Sequence, residues 1–450
     1  VKLISFGRRH SATGFGLVAQ ALQYGSALML LPFLVTRLTA AEVGIWYVFV
    51  TVQSLALLAD FGFQPTVARA FASAFGGARE LRTTGLVDEA AQSPNYLLAR
   101  QILRAARWLY LGLALAVCVV LLSVGTVYVG HIATGHVPDL FRVRLAWMVF
   151  AIGSALNLYL VWVSPLMLGS GRVAQNYQFI IVSRGGFALL GIIALVAGGG
   201  LLALAFANLA AGIGARIFAS WLMRPLKPLL AGPIPAGSVR IVLGKLWPNA
   251  GRMGLVALSG FLITRVNVLI LSSFAGLQVA AGYAISLQLL TAAGMMAMLP
   301  TQVTLPNIVE LRLRGEWAAL RKLLAGRLAF FFMAYITAAV IIVMLGQPVF
   351  GLVGSKVQLL PHALLALLAL VVMLEMNHSN AAFIITTAND VPFVLPSLLS
   401  AAAIVLLSTV SVWAGAGALG AIVSQGVVQA AFNNWKWPLV AWRGLHDRRI

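Results

Sequence analysis

Twelve apolar runs, each about as long as a bilayer's hydrocarbon core requires of a helix, leave this chain few folds to adopt. They fall near residues 13–36, 44–66, 106–130, 145–169, 174–197, 200–223, 248–273, 278–304, 327–350, 360–386, 391–413 and 417–438. Membrane strands are shorter and alternate apolar with polar residues, and these runs do neither. Hydrophobic residues make up 61% of the 450 and charged residues only 9%, whereas a soluble domain carries roughly 25% charge. Trp46, Trp108, Trp221, Trp247, Trp413 and Trp435 lie near the ends of the runs, where interfacial aromatics belong. The first run is too long for the core of a signal peptide and is expected to be a retained span. An opening Val1 implies a non-standard start codon or a few missing residues. The predicted fold class is an all-α polytopic membrane protein of about 12 transmembrane helices.

The net charge of +20 does not mark a nucleic-acid partner, because the basic residues are spread through short loops between apolar runs. With the N-terminus placed in the cytoplasm, twenty-five Lys and Arg fall on the cytoplasmic side. Only Arg37, Arg142, Arg144 and Lys356 fall opposite. The positive-inside rule then predicts that both termini are cytoplasmic. The lone Cys118 excludes an intrachain disulfide framework. His10, His131, His136, His362, His378 and His446 are dispersed without metal-ligand spacing, so neither a metal nor a cofactor is expected. No P-loop is present. Gly169-Ser-Gly171-Arg-Val-Ala174 matches a dinucleotide fingerprint by letter, but it joins two spans and has no preceding strand.

The chain also repeats itself. Gly16-Leu-Val-Ala19 recurs as Gly254-Leu-Val-Ala257, and at the same offset of 238 Gly44 meets Gly282. Further on, at an offset of 217, Leu103-Arg104 meets Leu320-Arg321, Gly198-x-Gly200 meets Gly415-x-Gly417, and Asn208 meets Gln425. The loop 71–100, with Glu80, Asp88 and Glu89, absorbs the difference. Six spans separate the copies, so the repeats run parallel, and two six-helix lobes with a substrate path between them are expected. The boundaries read as a lobe over 1–224, a cytoplasmic linker over 225–245 and a second lobe over 246–450.

Gly44 to Ala70 is the most distinctive stretch. Sixteen uncharged residues lead to Asp60-Phe61-Gly62-Phe63, then to a break at Pro65 and on to Arg69. The letters DFG occur in protein kinases, but nothing else of that signature accompanies them. With Glu42-Val-Gly-Ile-Trp46, Leu58-Ala-Asp-Phe-Gly62, Leu168-Gly-Ser-Gly-Arg172 and Thr387-Ala-Asn-Asp390, the chain resembles the Wzx-like, O-antigen-type polysaccharide flippases. These belong to the multidrug/oligosaccharidyl-lipid/polysaccharide exporter superfamily. That resemblance implies alternating access in a bacterial inner membrane, driven by an ion gradient. The implied cargo is an undecaprenyl-pyrophosphate-linked oligosaccharide, and a polysaccharide polymerase and chain-length machinery are implied partners beside membrane lipids. A cation-coupled multidrug antiporter is the alternative. A membrane glycosyltransferase is disfavoured, because the longest external loop, His131 to Arg144, holds Asp139 alone.

Four charges fall inside spans: Asp60, Arg184, Arg265 and Glu375. A mid-membrane charge costs about 2.5–3.5 kcal/mol on insertion scales, so none should face lipid. Two readings stand. The charges could pair as Asp60 with Arg184 and Glu375 with Arg265. Alternatively, the arginines line the inter-lobe cavity and hold the lipid pyrophosphate, to which a guanidinium is matched in charge and geometry. At the repeat offsets Asp60 lands on Met298, Arg184 on Ala401, Arg265 on Ala27 and Glu375 on Leu158, so no charge is duplicated. That tilts the reading toward function, with Asp60 and Glu375 as counter-ions or ion-coupling acids. His378 and Ser379 share the helical face of Glu375, and an imidazole beside a carboxylate is a proton-site candidate. A hydrogen-bonded cluster between helices is the alternative. Asn157, Asn249, Asn267 and Asn380 are candidate polar cavity residues with the same ambiguity. Arg69, Arg104 and Arg107 read as surface anchors for anionic lipid.

Overall fold

The computed structural model describes residues 2–81, 93–387 and 392–447. Arg82, Asp88, Glu89, Asp390, Arg448 and Arg449 lie outside them, as do the side chains of Asn249 and Arg252. Among the described residues there is no strand. The first half of the chain forms α1 (Lys2–Arg37), α2 (Ala40–Leu57), α3 (Phe63–Phe75), α4 (Tyr96–Val120), α5 (Thr126–Ala133), α6 (Leu140–Tyr159), α7 (Val163–Gly169), α8 (Val173–Val196) and α9 (Gly200–Leu222). The second half forms α10 (Ser238–Thr264), α11 (Val266–Phe274), α12 (Leu277–Val303), α13 (Leu305–Leu313), α14 (Trp317–Leu352), α15 (His362–Thr386), α16 (Val394–Ser411), α17 (Gly417–Ala431) and α18 (Asn433–Asp447).

Ten helical stretches among the described residues are long and apolar enough to cross a membrane, and the bent pair of Gly254–Thr264 with Val266–Phe274 adds an eleventh. The last stretch, Val394–His446, turns back at Gly415 and Gly417 so that α16 and α17 pack side by side. Its two arms correspond to the last two of the twelve apolar runs. Helices outrun the apolar windows where polar residues prolong them. α14 begins at Trp317 and carries Arg321, Lys322 and Arg327 in its first three turns. α4 starts where Asn95 accepts a hydrogen bond from the Leu98 backbone N–H at 3.0 Å, satisfying one donor that a helix start leaves free. Between the halves, α10 is already helical at Ser238, so the extended connection is shorter than the sequence implies.

Packing divides the chain into two compact units, Val1–Arg37 with Val52–Leu258 and Leu38–Thr51 with Ser259–Ile450. In the first unit α1 packs on α8, α8 on α9, α9 on α6 and α6 on α4. In the second, α11 packs on α16, α16 on α17, α17 on α15 and α15 on α14. Within these pairs the neighbours correspond, as a parallel repeat requires. The matched glycines explain how the sequence encodes it. Gly198, Gly200, Gly415 and Gly417 take φ of 76°, 64°, 93° and 53°, a left-handed region that disfavours residues bearing a Cβ. They close the same helical hairpin in both halves. Gly44 and Gly282 share a second role, admitting a neighbouring backbone at close range. A Cβ would lie 2.3 Å from the Leu277 carbonyl oxygen at one and 2.9 Å from that of Gln358 at the other. Gly16 and Gly254 each seat an aromatic ring, Tyr177 and Phe61 respectively.

Candidate functional site

The second span breaks at Asp60, and the structure shows why an acid stands there. After α2 the chain tightens into a 3₁₀ turn over Leu58–Asp60. Phe61 and Gly62 then both take left-handed conformations, with φ of 45° and 71°. Phe61 is the one residue other than glycine with a positive φ among the described residues, a strain of about 1–3 kcal/mol. α3 starts at Phe63, so Pro65, expected to make the break, sits instead in the first helical turn, where its missing N–H is no loss. Breaking the helix frees backbone N–H groups, and Asp60 meets one: its Oδ2 accepts from the Gln64 N–H at 3.3 Å. A carboxylate is favoured at a helix N-terminus by charge as well. Its Oδ1 accepts a hydrogen bond from the Tyr110 hydroxyl on α4. Asp60 is therefore held by Tyr110 and the α3 backbone, and it makes no ion pair with Arg184.

Glu375 on α15 is likewise not a counter-ion of Arg265. It is buried, and its Oε1 accepts from Gln425 Nε2 on α17 at 2.7 Å. Gln425 Oε1 in turn accepts from Asn267 Nδ2 at 2.9 Å and, more weakly, from the Tyr283 hydroxyl at 3.4 Å. Asn267 is buried, so this expected cavity residue is a network member, joining α11 to α17. In the first unit Asn157 Nδ2 donates to Asn208 Oδ1 at 3.2 Å between α6 and α9. Asn208 and Gln425 are repeat partners, and Asn157 lies one residue before Leu158, the partner position of Glu375. The duplication thus includes a polar bridge between the fourth and sixth span of each half, and only the second copy is ionisable.

The expected Glu375–His378 dyad does not form. His378 Nδ1 lies 2.9 Å from Asn434 Oδ1 on α18, and the Ser379 hydroxyl donates to the Glu375 backbone oxygen rather than its carboxylate. The reason is lateral: Glu375 is drawn toward α17 and His378 toward α18. Asn380 is 5% exposed and neither of its amide atoms has a hydrogen-bond partner. Arg107 stands over the Trp162 ring, 4.9 Å from its centroid, which gives it a cation–π partner.

The arginines differ from the two intramembrane acids. Arg184 on α8 and Arg265 are both exposed side chains with no hydrogen bond or ion pair to any described residue. Arg265 is itself the break between α10 and α11, which meet at 42°. Its guanidinium stands at the N-terminal end of α11, where the helix dipole adds positive potential, and Tyr47 and Tyr283 are its electrostatic neighbours. Tyr47 donates to Gln288 Oε1 at 2.7 Å. An unpaired guanidinium is costly to place against lipid, and both side chains have their donors free of acceptors among the described residues. Discontinuous helices whose N-termini meet anionic groups are a recurring device of membrane transporters.

Comparison with solved structures gives the fold a relation. A multidrug resistance MATE family transporter of the MOP superfamily, in an inward-facing conformation, superposes with a TM-score of 0.67 over 96% of this chain and 98% of its own, at 12% identity. The fold is that of the MATE transporters. The same transporter type in an outward-facing conformation gives a TM-score of 0.57 at 14% identity, over 98% and 94% of the two chains. A MOP superfamily transporter from Pyrococcus furiosus gives 0.60 at 13% identity over 98% and 96%, and is described as having a binding pocket of reverse polarity that suggests a different function. These matched structures are of transporters, not enzymes. No protein-family model and no curated protein matches the sequence.

Tyr110, Asn208, Tyr283, Gln425 and Asn434 are site residues that the sequence does not mark as such. Tyrosines and amides at helical spacing look like packing residues there. Only the Asn208–Gln425 repeat match carried a signal.

Proposed function

We propose that the chain is a membrane transporter that binds the phosphates of an anionic amphiphile through Arg184 and Arg265. The observation that carries this is the state of those two side chains: exposed, mid-span and without partners among the described residues. A guanidinium presents paired donors to phosphate oxygens, so a polyprenyl-pyrophosphate-linked oligosaccharide is the cargo class that fits best. On this reading transport is by alternating access, and both termini are cytoplasmic in a bacterial inner membrane. The coupling acids are Asp60 and Glu375, each already hydrogen-bonded to a neutral side chain that tolerates either protonation state. Arg184→Ala and Arg265→Ala, at unchanged protein level, should abolish delivery of surface polysaccharide in cells, and Arg→Lys should impair it by losing the paired contacts. Full delivery in both alanine variants overturns the phosphate role.

A second reading, cation-coupled multidrug antiport, is supported by the likeness to multidrug resistance transporters. Cationic drugs would be repelled by the two guanidiniums. Resistance conferred on a pump-deficient strain, retained or raised in Arg184→Ala, would favour that reading over the first.

A further inference from the structure

The C-terminal unit holds a second basic site that this transport reading does not use. A cavity of about 100 Å³ lies among α12, α14, α15 and α18, lined by Arg321, Arg327, Asn377, Asn380, Leu328 and Trp442, among others. None of its lining residues is acidic. Arg321 and Asn377 make no hydrogen bond or ion pair to a described residue, and Arg327 Nε is buried without an acceptor. Asn380, 5% exposed, has both its amide oxygen and its amide nitrogen unpartnered. A buried polar group left unpaired costs about 1–3 kcal/mol, so Asn380 and the Arg327 Nε call for an occupant, and the half-buried Arg321 and Asn377 offer further donors to the same space. The donors on offer are two guanidiniums and two carboxamides, a set that fits an acceptor-only anion with several oxygens. Apart from Thr301, the rest of the wall is apolar, with Leu324, Ile384, Pro438 and Leu445. Leu328 and Trp442 are 40% and 59% exposed, and tryptophan favours the headgroup level of a bilayer.

We propose that this cavity binds the phosphate headgroup of an anionic phospholipid, with the arginines and Asn380 on the phosphate and the acyl chains leaving past Leu328 and Trp442. Native mass spectrometry of the full chain with phosphatidylglycerol or phosphatidylcholine tests it. The wild type should retain phosphatidylglycerol preferentially. Arg321→Gln with Arg327→Gln should weaken that retention about tenfold or more, since a charged hydrogen bond contributes roughly 1.5–3 kcal/mol. Lys322→Gln removes one positive charge from the same helix outside the cavity lining and should leave retention unchanged. Asn380→Leu guards against misfolding: it replaces an unpaired buried amide by an apolar group of similar size, so the thermal midpoint should hold or rise while retention falls. Equal retention of the two lipids by the wild type overturns the proposal, as does unchanged retention in the double arginine variant. Displacement of the lipid by inorganic phosphate would overturn the lipid assignment in favour of a soluble phosphate site.

Discussion

The bridge centred on Gln425 gives the sharpest test of how the second unit is held together. Gln425 is fully buried and joins three helices, donating to Glu375 on α15 at 2.7 Å and accepting from Asn267 on α11 at 2.9 Å. Gln425→Leu keeps the volume and removes both bonds together with the weaker one from Tyr283, leaving the Glu375 carboxyl without its Gln425 donor and the Asn267 amide with only its 3.4 Å contacts to the Ala421 carbonyl and the Tyr283 hydroxyl. In soluble proteins each such group costs about 1–3 kcal/mol. Inter-helix hydrogen bonds in membranes average about 0.6 kcal/mol and reach about 1.7. Two groups at the upper end of the membrane range give a loss of about 2–3 kcal/mol. Asn208→Leu, at the repeat-related position, removes one bond of 3.2 Å to a half-buried Asn157 and should cost only about 0.5–1 kcal/mol. Equilibrium unfolding of the purified chain in bicelles measures both. If Gln425→Leu costs no more than Asn208→Leu, the bridge does not hold the helices and the reasoning fails. Glu375→Gln keeps an acceptor oxygen for Gln425 and should cost under about 1 kcal/mol. A loss of transport in that variant therefore reports the proton, not the packing.

Four further substitutions test the geometry. Gly44→Ala places a Cβ 2.3 Å from the Leu277 backbone oxygen and should destabilise by about 1–3 kcal/mol. Gly25→Ala meets nothing within 4 Å and should be neutral or stabilising by about 0.5–1 kcal/mol, both read by the same unfolding measurement. Tyr110→Phe strips Asp60 of a side-chain partner, and Asp60→Asn weakens its hold on the α3 N-terminus. Each should lower transport and stability together, whereas loss of transport at full stability in Asp60→Asn would mark a pure proton carrier.

The fold was legible where the backbone imposes a residue type. Gly198, Gly200, Gly415 and Gly417 announce their turns because few other side chains tolerate those φ values, and the matching spacing revealed the duplication. The apolar runs located the passes but not the helix ends: hydropathy stops at a charge, while a helix such as α14 continues through Arg321 and Arg327 into polar surroundings. At the site, Asp60, Arg184, Arg265 and Glu375 stand out as charges in apolar runs. Their partners do not. Tyr110 lies fifty residues from Asp60, and a tyrosine on an apolar helix looks the same in sequence whether it packs or donates. His378 shares a helical face with Glu375, yet it turns toward α18 because Asn434 offers an acceptor there. Periodicity gives which face a residue occupies but not which neighbouring helix lies opposite.

The paired glycine turns bear on how the chain enters the membrane. α8 and α9 are joined by only three residues, and α16 and α17 double back across Val412–Ala416 at the non-helical Gly415. So short a connection leaves little polar chain to translocate, and two apolar helices in hairpin contact shield each other as they leave the ribosome's path. Each pair is thus suited to insert as one object, a decision taken during synthesis. A bulky residue at Gly200 or Gly417 would then show itself as misplaced loops in a topology-reporter fusion, before any finished protein existed whose stability could be measured.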